Sequence, residues 1–580
     1  MQFDIITMSK SFNKTISLIK WVTYMKSVKI PKFIAVFSVA GIVASFSAIG
    51  ANAAIVDNAL GVSSSFGKTD IKIAEIAESK LPSKYSSVDL GYVTGIKNQK
   101  YDDCWVYSGI GSFESKLLRE GINIGDMSAD WANVWATKKL NGKGWQRNYK
   151  SSGYSNIMPG YLTSWYGGIL ENDIAPVDFS KDVYGDMAPD NLTRYGVTSI
   201  RYLSKSEPDQ IKKSIMDNGG VSTSYAHTIK CLKNNQSYFM PKSYASDYMG
   251  HSVEIVGWDD NYSRNNFGEY RNLKPDNDGA WLVRNSWGNY NSLGGYFWIS
   301  YEDKYVFSSK YDPSYTIQNV MKITDNVKLK QNEIYGATYD FSYVLADEIT
   351  YINKFDFSDE YNIIDKVIFE TGCIGADYDI YYIPVENEVP QDDESKWIKL
   401  DSGKVDFRGY ICADFDDFTA PEGYGAIGVK IDSGALNDGK TYDDESYIPN
   451  SVGVGEWTWT ADHVYVFIND SKHGDSFIKY DEESIELLDW YKNKLDDDIG
   501  GTFVIKAVTR KDNEEDYMLG DVNLDRQITI DDVTLAQKYL ANLNDLSEQS
   551  QKNADIDKNG EINIDDVTDI QKYMAGLFEW

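Results

Sequence analysis

At 580 residues the chain exceeds what one hydrophobic core can organise, and a rule of about 150 residues per domain divides it into three or four units. Its net charge of -31 excludes nucleic acid and anionic lipid as partners, because phosphate-rich surfaces demand basic ones. A hydrophobic share of 42% is ample for folded cores, so the class is a soluble, strongly hydrated multidomain protein.

The first element is a targeting segment that starts at an internal methionine. From Met25, the residues Lys26, Lys29 and Lys32 make a positive region, Phe33 to Ile49 an apolar run, and Ala51-Asn52-Ala53 a small-residue cleavage site. This pattern predicts a secretory signal cut after Ala53, with residues 1–24 as an upstream extension and 54–80 as a short pro or linker segment. A membrane anchor is the competing reading, because the apolar run is near the shortest possible span, about 17 residues. In an exported chain the four cysteines, Cys104, Cys231, Cys373 and Cys412, could form two disulfides. A Cys104–Cys231 pair would remove Cys104 from any chemistry, whereas Cys373 and Cys412 could pair within a later domain.

Residues 81–310 mix helical and strand periods. After the stretch NQKYDD, apolar residues at Trp105, Val106, Ile110, Phe113 and Leu117, then Gly121 as a stop, predict a helix opening at Cys104. The runs HSVEIVGW, GAWLVRNSWG and GGYFWISYED, separated by Asn, Gly and Asp clusters, predict strands. Helices first and strands afterwards make an α+β domain.

A cysteine at a helix N-terminus sits beside partial positive charge, which favours its thiolate. A stronger effect needs an imidazole, and the chain has only four histidines: His227, His251, His463 and His473. His251 opens a predicted strand, and Asn285 follows in RNSWG, where its amide could fix the second imidazole nitrogen. Cys104, His251 and Asn285 would then act as nucleophile, general acid/base and orienter. Gln99 could donate its amide to an oxyanion beside the Cys104 backbone N–H, and Trp287 could shield the His–Asn pair from water.

These pieces, LPSKYSSVDLGYVTGIKNQ, DDCWVYSGIGSFES, GHSVEIVGWDD and NSWG followed by GGYFWISY, resemble the papain family of cysteine proteases over residues 81–305. The resemblance implies a two-lobed fold with the cleft between a helical and a β half, and it assigns the same roles to Cys104, His251, Asn285 and Gln99. Some residues depart from the family's pattern. Gln99 stands one residue closer to the cysteine than usual, with no glycine between, and Asp102 and Asp103 beside the thiol oppose its ionisation. Tyr101 occupies the place of a common disulfide cysteine, Ser152 and Gly153 that of a glycine pair in the substrate wall, and 54–80 is short for an inhibitory prosegment.

From 316 to 508 the runs DKVIFET, YDIYYIPV, WIKLDSGKVDF, YGAIGVKI, HVYVFIND and TFVIKAV recur between turn residues and predict a β-sandwich, which resembles the lectin-like domain following this protease type in bacteria. Trp397, Trp457 and Trp459 make carbohydrate a possible ligand there, although such aromatics are commonly core.

A linker over 509–516 leads to an internal duplication in 517–580, with Asp521 and Asp555 in equivalent places. Each copy sets oxygen-bearing residues at the spacing by which one loop wraps a hard cation: Asp521, Asn523, Asp525, Thr529 and Asp532, then Asp555, Asp557, Asn559, Asn563 and Asp566. Gln527 and Glu561 would each add a backbone carbonyl, and Gly560 supplies a bend for which the first loop has Arg526. One helix per loop and aspartate at the last position resemble a type I dockerin, a small all-α module. The resemblance implies two Ca2+ sites, calcium-dependent folding, and a cohesin partner read near Ile530, Asp531, Ile564 and Asp565.

Together these features predict a secreted cysteine endopeptidase acting on protein or peptide, with no cofactor for the protease chemistry. It would be carried on a cohesin-bearing scaffold outside a bacterial cell, with no membrane span once the signal is removed. The alternative is a catalytically impaired or carbohydrate-binding component of such an assembly, acting by binding.

Overall fold

The computed structural model describes residues 81–137, 144–145, 147–153, 157–173, 177, 194–246, 248–308, 313–336, 339–341, 348–432, 452–455, 467–468, 472–480, 484–495, 501–511, 518–524, 527–541 and 543–577. The targeting segment, the 54–80 segment, most of the 509–516 linker, Trp457, Trp459, His463, Asp525 and Arg526 lie outside these described residues.

The first half contains, in chain order, β1 (Lys84–Ser86), α1 (Cys104–Arg119), α2 (Ala129–Trp135), α3 (Ile157–Thr163), β2 (Tyr195–Leu203), α4 (Pro208–Asn218), β3 (Val221–His227), β4 (Met249–Asp259), β5 (Ala280–Arg284), β6 (Tyr296–Ser300) and β7 (Ser314–Lys322). Helix α1 opens at Cys104, as the periodicity predicts, with Lys116 and Arg119 in its last turn against the negative end of its dipole. Gly121 follows the helix in a left-handed conformation, φ +79°, which only glycine adopts without strain. The helix is buried on nearly every face, a wider burial than an amphipathic stripe gives, because α2 and α3 pack on one side and β4 and β3 on the other.

Strands β3, β4, β5 and β6 pair antiparallel in that order. The sheet does not stop with them. Across β7 and β2 it runs on into the second half, where Gly409 and Tyr410 pair with Arg201 and Ile200 of β2. The second half contains β8 (Val327–Lys330), β9 (Glu348–Asp356), β10 (Ile363–Thr371), β11 (Asp377–Glu386), β12 (Ile398–Lys404), β13 (Gly409–Thr419), β14 (Tyr424–Asp432), β15 (Ser476–Lys479) and β16 (Ile505–Arg510). Among the described residues its strands β8, β16, β10 and β13 complete one 13-stranded sheet, and a second sheet of seven strands, including β11, β14, β9, β15 and β12, faces that end. Between the two lies a core of Ile349, Tyr351, Val367, Phe369, Ile380, Ile427, Val429 and Ile505, so the predicted sandwich is present. One of its two layers is shared with the first half. Trp397 is 8% exposed and donates Nε1–H to the Gln391 carbonyl, so it is core and offers no stacking platform.

The two halves are also clamped behind the sheet. Gly336 (φ +76°) backs onto Gly160 of α3 so closely that a Cβ there would lie 2.4 Å from the Gly160 Cα. The same 331–336 segment receives Lys506 of β16, whose fully buried ammonium meets the Glu333 carboxylate, Gln331 Oε1 at 2.7 Å and the Glu333 carbonyl at 3.0 Å. Lys506→Ala leaves the Glu333 charge buried without its counterion and is expected to cost about 3–5 kcal/mol in a denaturant titration. A Lys506→Met/Glu333→Met double variant should recover most of that loss.

The C-terminal module has α5 (Ile530–Leu540), α6 (Glu548–Ala554) and α7 (Ile564–Met574) around Val522, Val533, Ala536, Ala554, Val567 and Ile570. The duplication predicts α5 and α7; α6 joins the copies. Both loop helices start with reciprocal caps, Thr529 with Asp532 and Asn563 with Asp566. Among the described residues no helix is long and apolar enough to cross a membrane.

Candidate active site

Helix α1 delivers Cys104 to the edge of β4, where the Ser252 backbone N–H points at its sulfur, 3.3 Å away. The residue before Ser252 is His251, 4% exposed, whose Nε2 lies 2.8 Å from Asn285 Oδ1. Asn285 follows the last residue of β5, the strand hydrogen-bonded to β4, so strand pairing itself brings histidine and asparagine together. The asparagine amide is oriented twice over: Ser286 N–H donates to Oδ1 at 2.8 Å and Nδ2 donates to Tyr290 Oη at 3.2 Å. Oδ1 can only accept, so Nε2 carries the proton and Nδ1 is left as the base. Burial pushes His251 down to about 4, with the Asn285 bond pulling the other way, so the ring is neutral at pH 7 and can take a thiol proton.

Trp287 stacks on His251 with centroids 4.4 Å apart and planes 21° from parallel. His227 lies one strand over on β3, its ring 6.2 Å from that of His251. Its Nδ1 is 2.9 Å from Tyr225 Oη, and burial pushes it down to about 3. His473 is in the second half beside Glu486, away from this site. All four cysteines are thiols, so neither considered disulfide forms. Burial holds Cys231 and Cys412 up to about 12, which leaves them inert near neutral pH.

Gln99 reaches the site through a bridge between Asn98 and Trp287. Its Oε1 accepts from Ser286 Oγ at 2.5 Å, and one Nε2 hydrogen goes to the Tyr101 carbonyl at 2.7 Å. Among the described residues the other Nε2 hydrogen has no partner. Gly153 borders the residue after the nucleophile: a Cβ there would lie 2.6 Å from the Trp105 ring.

Sequence reading missed the buried ion network that locks α1 to the sheet. Arg284 Nη1 meets Glu254 Oε2 at 2.9 Å, Lys97 meets Glu114 Oε1 at 2.9 Å, and Ser115 Oγ–H donates to Glu254 at 2.6 Å. These residues flank His251, Asn285 and Cys104 in the chain, so the network fixes the distance between helix and strands. The signal was present: single charges at Glu114, Glu254 and Arg284 inside otherwise apolar runs require partners. Asn285→Ala should leave this network intact while freeing the imidazole to rotate. We expect kcat to fall on the order of 10²-fold with KM little changed, measured on a peptide substrate.

In the C-terminal module, carboxylate oxygens of Asp555, Asp557 and Asp566 lie within 4.8 Å of one another. Asp566 Oδ1 accepts the Ile556 N–H at 2.9 Å and Oδ2 that of Asn563 at 2.8 Å; Asp532 repeats this with Val522 at 2.8 Å and Thr529 at 2.7 Å. Asp555 accepts from Gly560 N–H at 2.7 Å, Asn559 Oδ1 from Glu561 N–H at 2.8 Å, and Asn563 Oδ1 from Asp565 N–H at 2.7 Å. Asp521 is buried, and Asn523, Gln527 and Thr529 complete the described part of the first loop. An all-oxygen donor set of this kind fits a hard divalent cation. Ile530 and Ile564 occupy matching places at 59% and 61% exposure, each followed by an exposed aspartate, Asp531 and Asp565.

The papain family cysteine protease model matches residues 81–317, and the type I dockerin domain model matches 519–575. Bos taurus cathepsin S is 26% identical over 227 residues, 37% of this chain and 59% of the relative; Homo sapiens cathepsin L2 is 24% identical over 224 residues, 36% and 58%. The chain thus spans less than two thirds of the curated relatives it matches. A structure of the clostridial cysteine protease Cwp84 after propeptide cleavage is similar with TM-score 0.63 and 33% identity, over 74% of this chain and 100% of that one. The cysteine protease and lectin-like domains of Cwp84, a surface layer associated protein of Clostridium difficile, give TM-score 0.63 and 32% identity over 74% of this chain and 89% of that one. That similarity extends past the first half into the sandwich that shares its sheet. The chain therefore belongs to the papain family of cysteine proteases, with a lectin-like β domain and a C-terminal type I dockerin domain.

Proposed function

We propose that the protein is a secreted cysteine endopeptidase attached through its dockerin to a cohesin-bearing scaffold at or outside the cell surface. The observation that carries the peptidase reading is the His251 to Asn285 bond, made next to a thiol at a helix N-terminus. In this mechanism His251 Nδ1 takes the Cys104 proton and the sulfur attacks the substrate carbonyl carbon. The oxyanion is met by the Cys104 backbone N–H and the remaining Gln99 Nε2 hydrogen. The tetrahedral intermediate collapses as the imidazolium gives its proton to the leaving amine, forming a thioester. Water, deprotonated by the same histidine, then releases the acid and restores the thiol.

Two calcium ions would be held by Asp521, Asn523, Asp525, Gln527, Thr529 and Asp532, and by Asp555, Asp557, Asn559, Glu561, Asn563 and Asp566. The bound ions neutralise crowded carboxylates and supply stability that the module's small core lacks. Ile530, Asp531, Ile564 and Asp565 are the residues we assign to cohesin recognition, on their exposure and their repetition. Hydrolysis of an unfolded protein by the full chain, dependent on a reducing agent and stopped by alkylation of Cys104, tests the enzyme. Retention on an immobilised cohesin with Ca2+ and release by chelator tests the attachment. Unblocked hydrolysis or chelator-resistant retention would contradict the respective half.

A further inference from the structure

The residue before the nucleophile is a fully buried aspartate. Asp103 stands at the N-cap of α1, yet its carboxylate makes no cap bond to the helix. It turns instead to α2, where Asn133 Nδ2 donates to its Oδ2 at 3.0 Å, and its Oδ1 meets no hydrogen-bond partner among the described residues. Asn133 is used on every side: Nδ2 also donates to the Tyr149 carbonyl at 3.0 Å, and Oδ1 accepts from Arg147 Nη1 at 2.7 Å. Arg147 in turn donates Nη2–H to the Ser151 carbonyl at 2.6 Å and lies over the Trp105 ring, 4.9 Å from its centroid. The chain Asp103–Asn133–Arg147 therefore leaves the backbone just before Cys104 and returns to the side chain just after it. On the way it holds the 147–153 segment, whose Gly153 lies flat against that indole.

We propose that Asp103, Asn133 and Arg147 form a positioning relay for the reaction at Cys104, in which the Asp103 charge tunes the neighbouring thiolate and Arg147 seats the 147–153 wall beside it. This rests on the peptidase reading. Burial above all, with Asp130 of α2 adding to it, pushes the Asp103 carboxyl up to about 6, against its own backbone N–H, Arg147 and Asn133, which pull it down. The Asp103 charge also reaches Tyr107 of its own helix, whose phenol burial above all holds protonated. Below pH 6 Asp103 is neutral and the thiolate next door is unopposed. Above pH 6 Asp103 is charged and its charge disfavours the thiolate of the next residue.

The test is the rate at which neutral iodoacetamide alkylates Cys104 in the full chain from pH 4 to 9, with the adduct located by mass spectrometry. The native curve should carry an inflection near 6 besides those of the thiol and of His251, which takes its proton. Asp103→Asn keeps an acceptor for Asn133 and removes the charge; its curve should lose that inflection and move about one unit toward lower pH. Arg147→Met should move the inflection upward and raise KM for a peptide substrate several-fold, more than it lowers kcat. An aspartate with a merely structural role would lower Tm and leave both curves in place. Native and Asp103→Asn curves that superimpose would overturn the relay, and if Asp103→Asn does not fold, an unmoved inflection in Arg147→Met does the same. Absence of alkylation at every pH in the native chain would instead overturn the peptidase reading beneath it.

Discussion

Cys104→Ala is expected to lower peptide-bond hydrolysis by at least about 10⁴-fold, and His251→Ala by a similar factor, with no further loss when the two are combined. Nucleophile and base act as a unit: without the imidazole the thiol is rarely ionised, and without the thiol the imidazole has nothing to activate. The residual rate would come from the Cys104 backbone N–H and Gln99, which still bind the carbonyl oxygen. Folding should survive, because Cys104 sits half-buried at a helix start and the loss of its sulfur contact to the Ser252 N–H costs about 1 kcal/mol. Turnover on a fluorogenic peptide, read beside the thermal transition of each variant, separates the two effects. A Cys104→Ala variant that retains a tenth of native turnover would be incompatible with a covalent mechanism.

Chelation should unfold the C-terminal module alone. Three carboxylates whose oxygens gather within 4.8 Å repel one another unless a cation lies among them, and the buried core described beneath them is eight Val, Ile, Leu and Ala side chains. A cation present at a thousand times its dissociation constant stabilises the folded form by about 4 kcal/mol, comparable with everything so small a core provides. With a calcium chelator, amide exchange protection should be lost across 518–577 and retained in β4 and β5, which belong to another core. Asp566→Ala should reproduce the loss with calcium present, because Asp566 also holds the Ile556 and Asn563 N–H groups of its own loop. Protection of α5 and α7 that is indifferent to chelator would refute a calcium requirement.

The candidate site is legible in the chain because each of its residues sits at a locally marked place. Cys104 opens a periodic apolar run, and His251 and Asn285 sit at the ends of strands with clear alternation or apolar content. The candidate cation loops around Asp521 and Asp555 are read from spacing, since the donors of such a site lie within one loop. What sequence did not reveal depends on tertiary pairing. No local pattern says that β13 joins β2, because a sheet that continues between two domains looks, strand by strand, like two separate sheets. Likewise Asp102 and Asp103 look equivalent in the chain, and only the packing of α2 makes Asp102 exposed and Asp103 buried. The Lys506–Glu333 pair is the same case: a lysine inside a buried strand signals a partner but does not name it.

The most direct measurement is peptide mapping of the full chain after treatment with a mechanism-based epoxide under reducing conditions at neutral pH. A single adduct on Cys104, lost in His251→Ala while Cys231, Cys373 and Cys412 stay unmodified, is the expected result. An adduct that persists at Cys104 without the histidine, or that spreads over the buried cysteines, would contradict activation of the sulfur by His251 and with it the peptidase assignment.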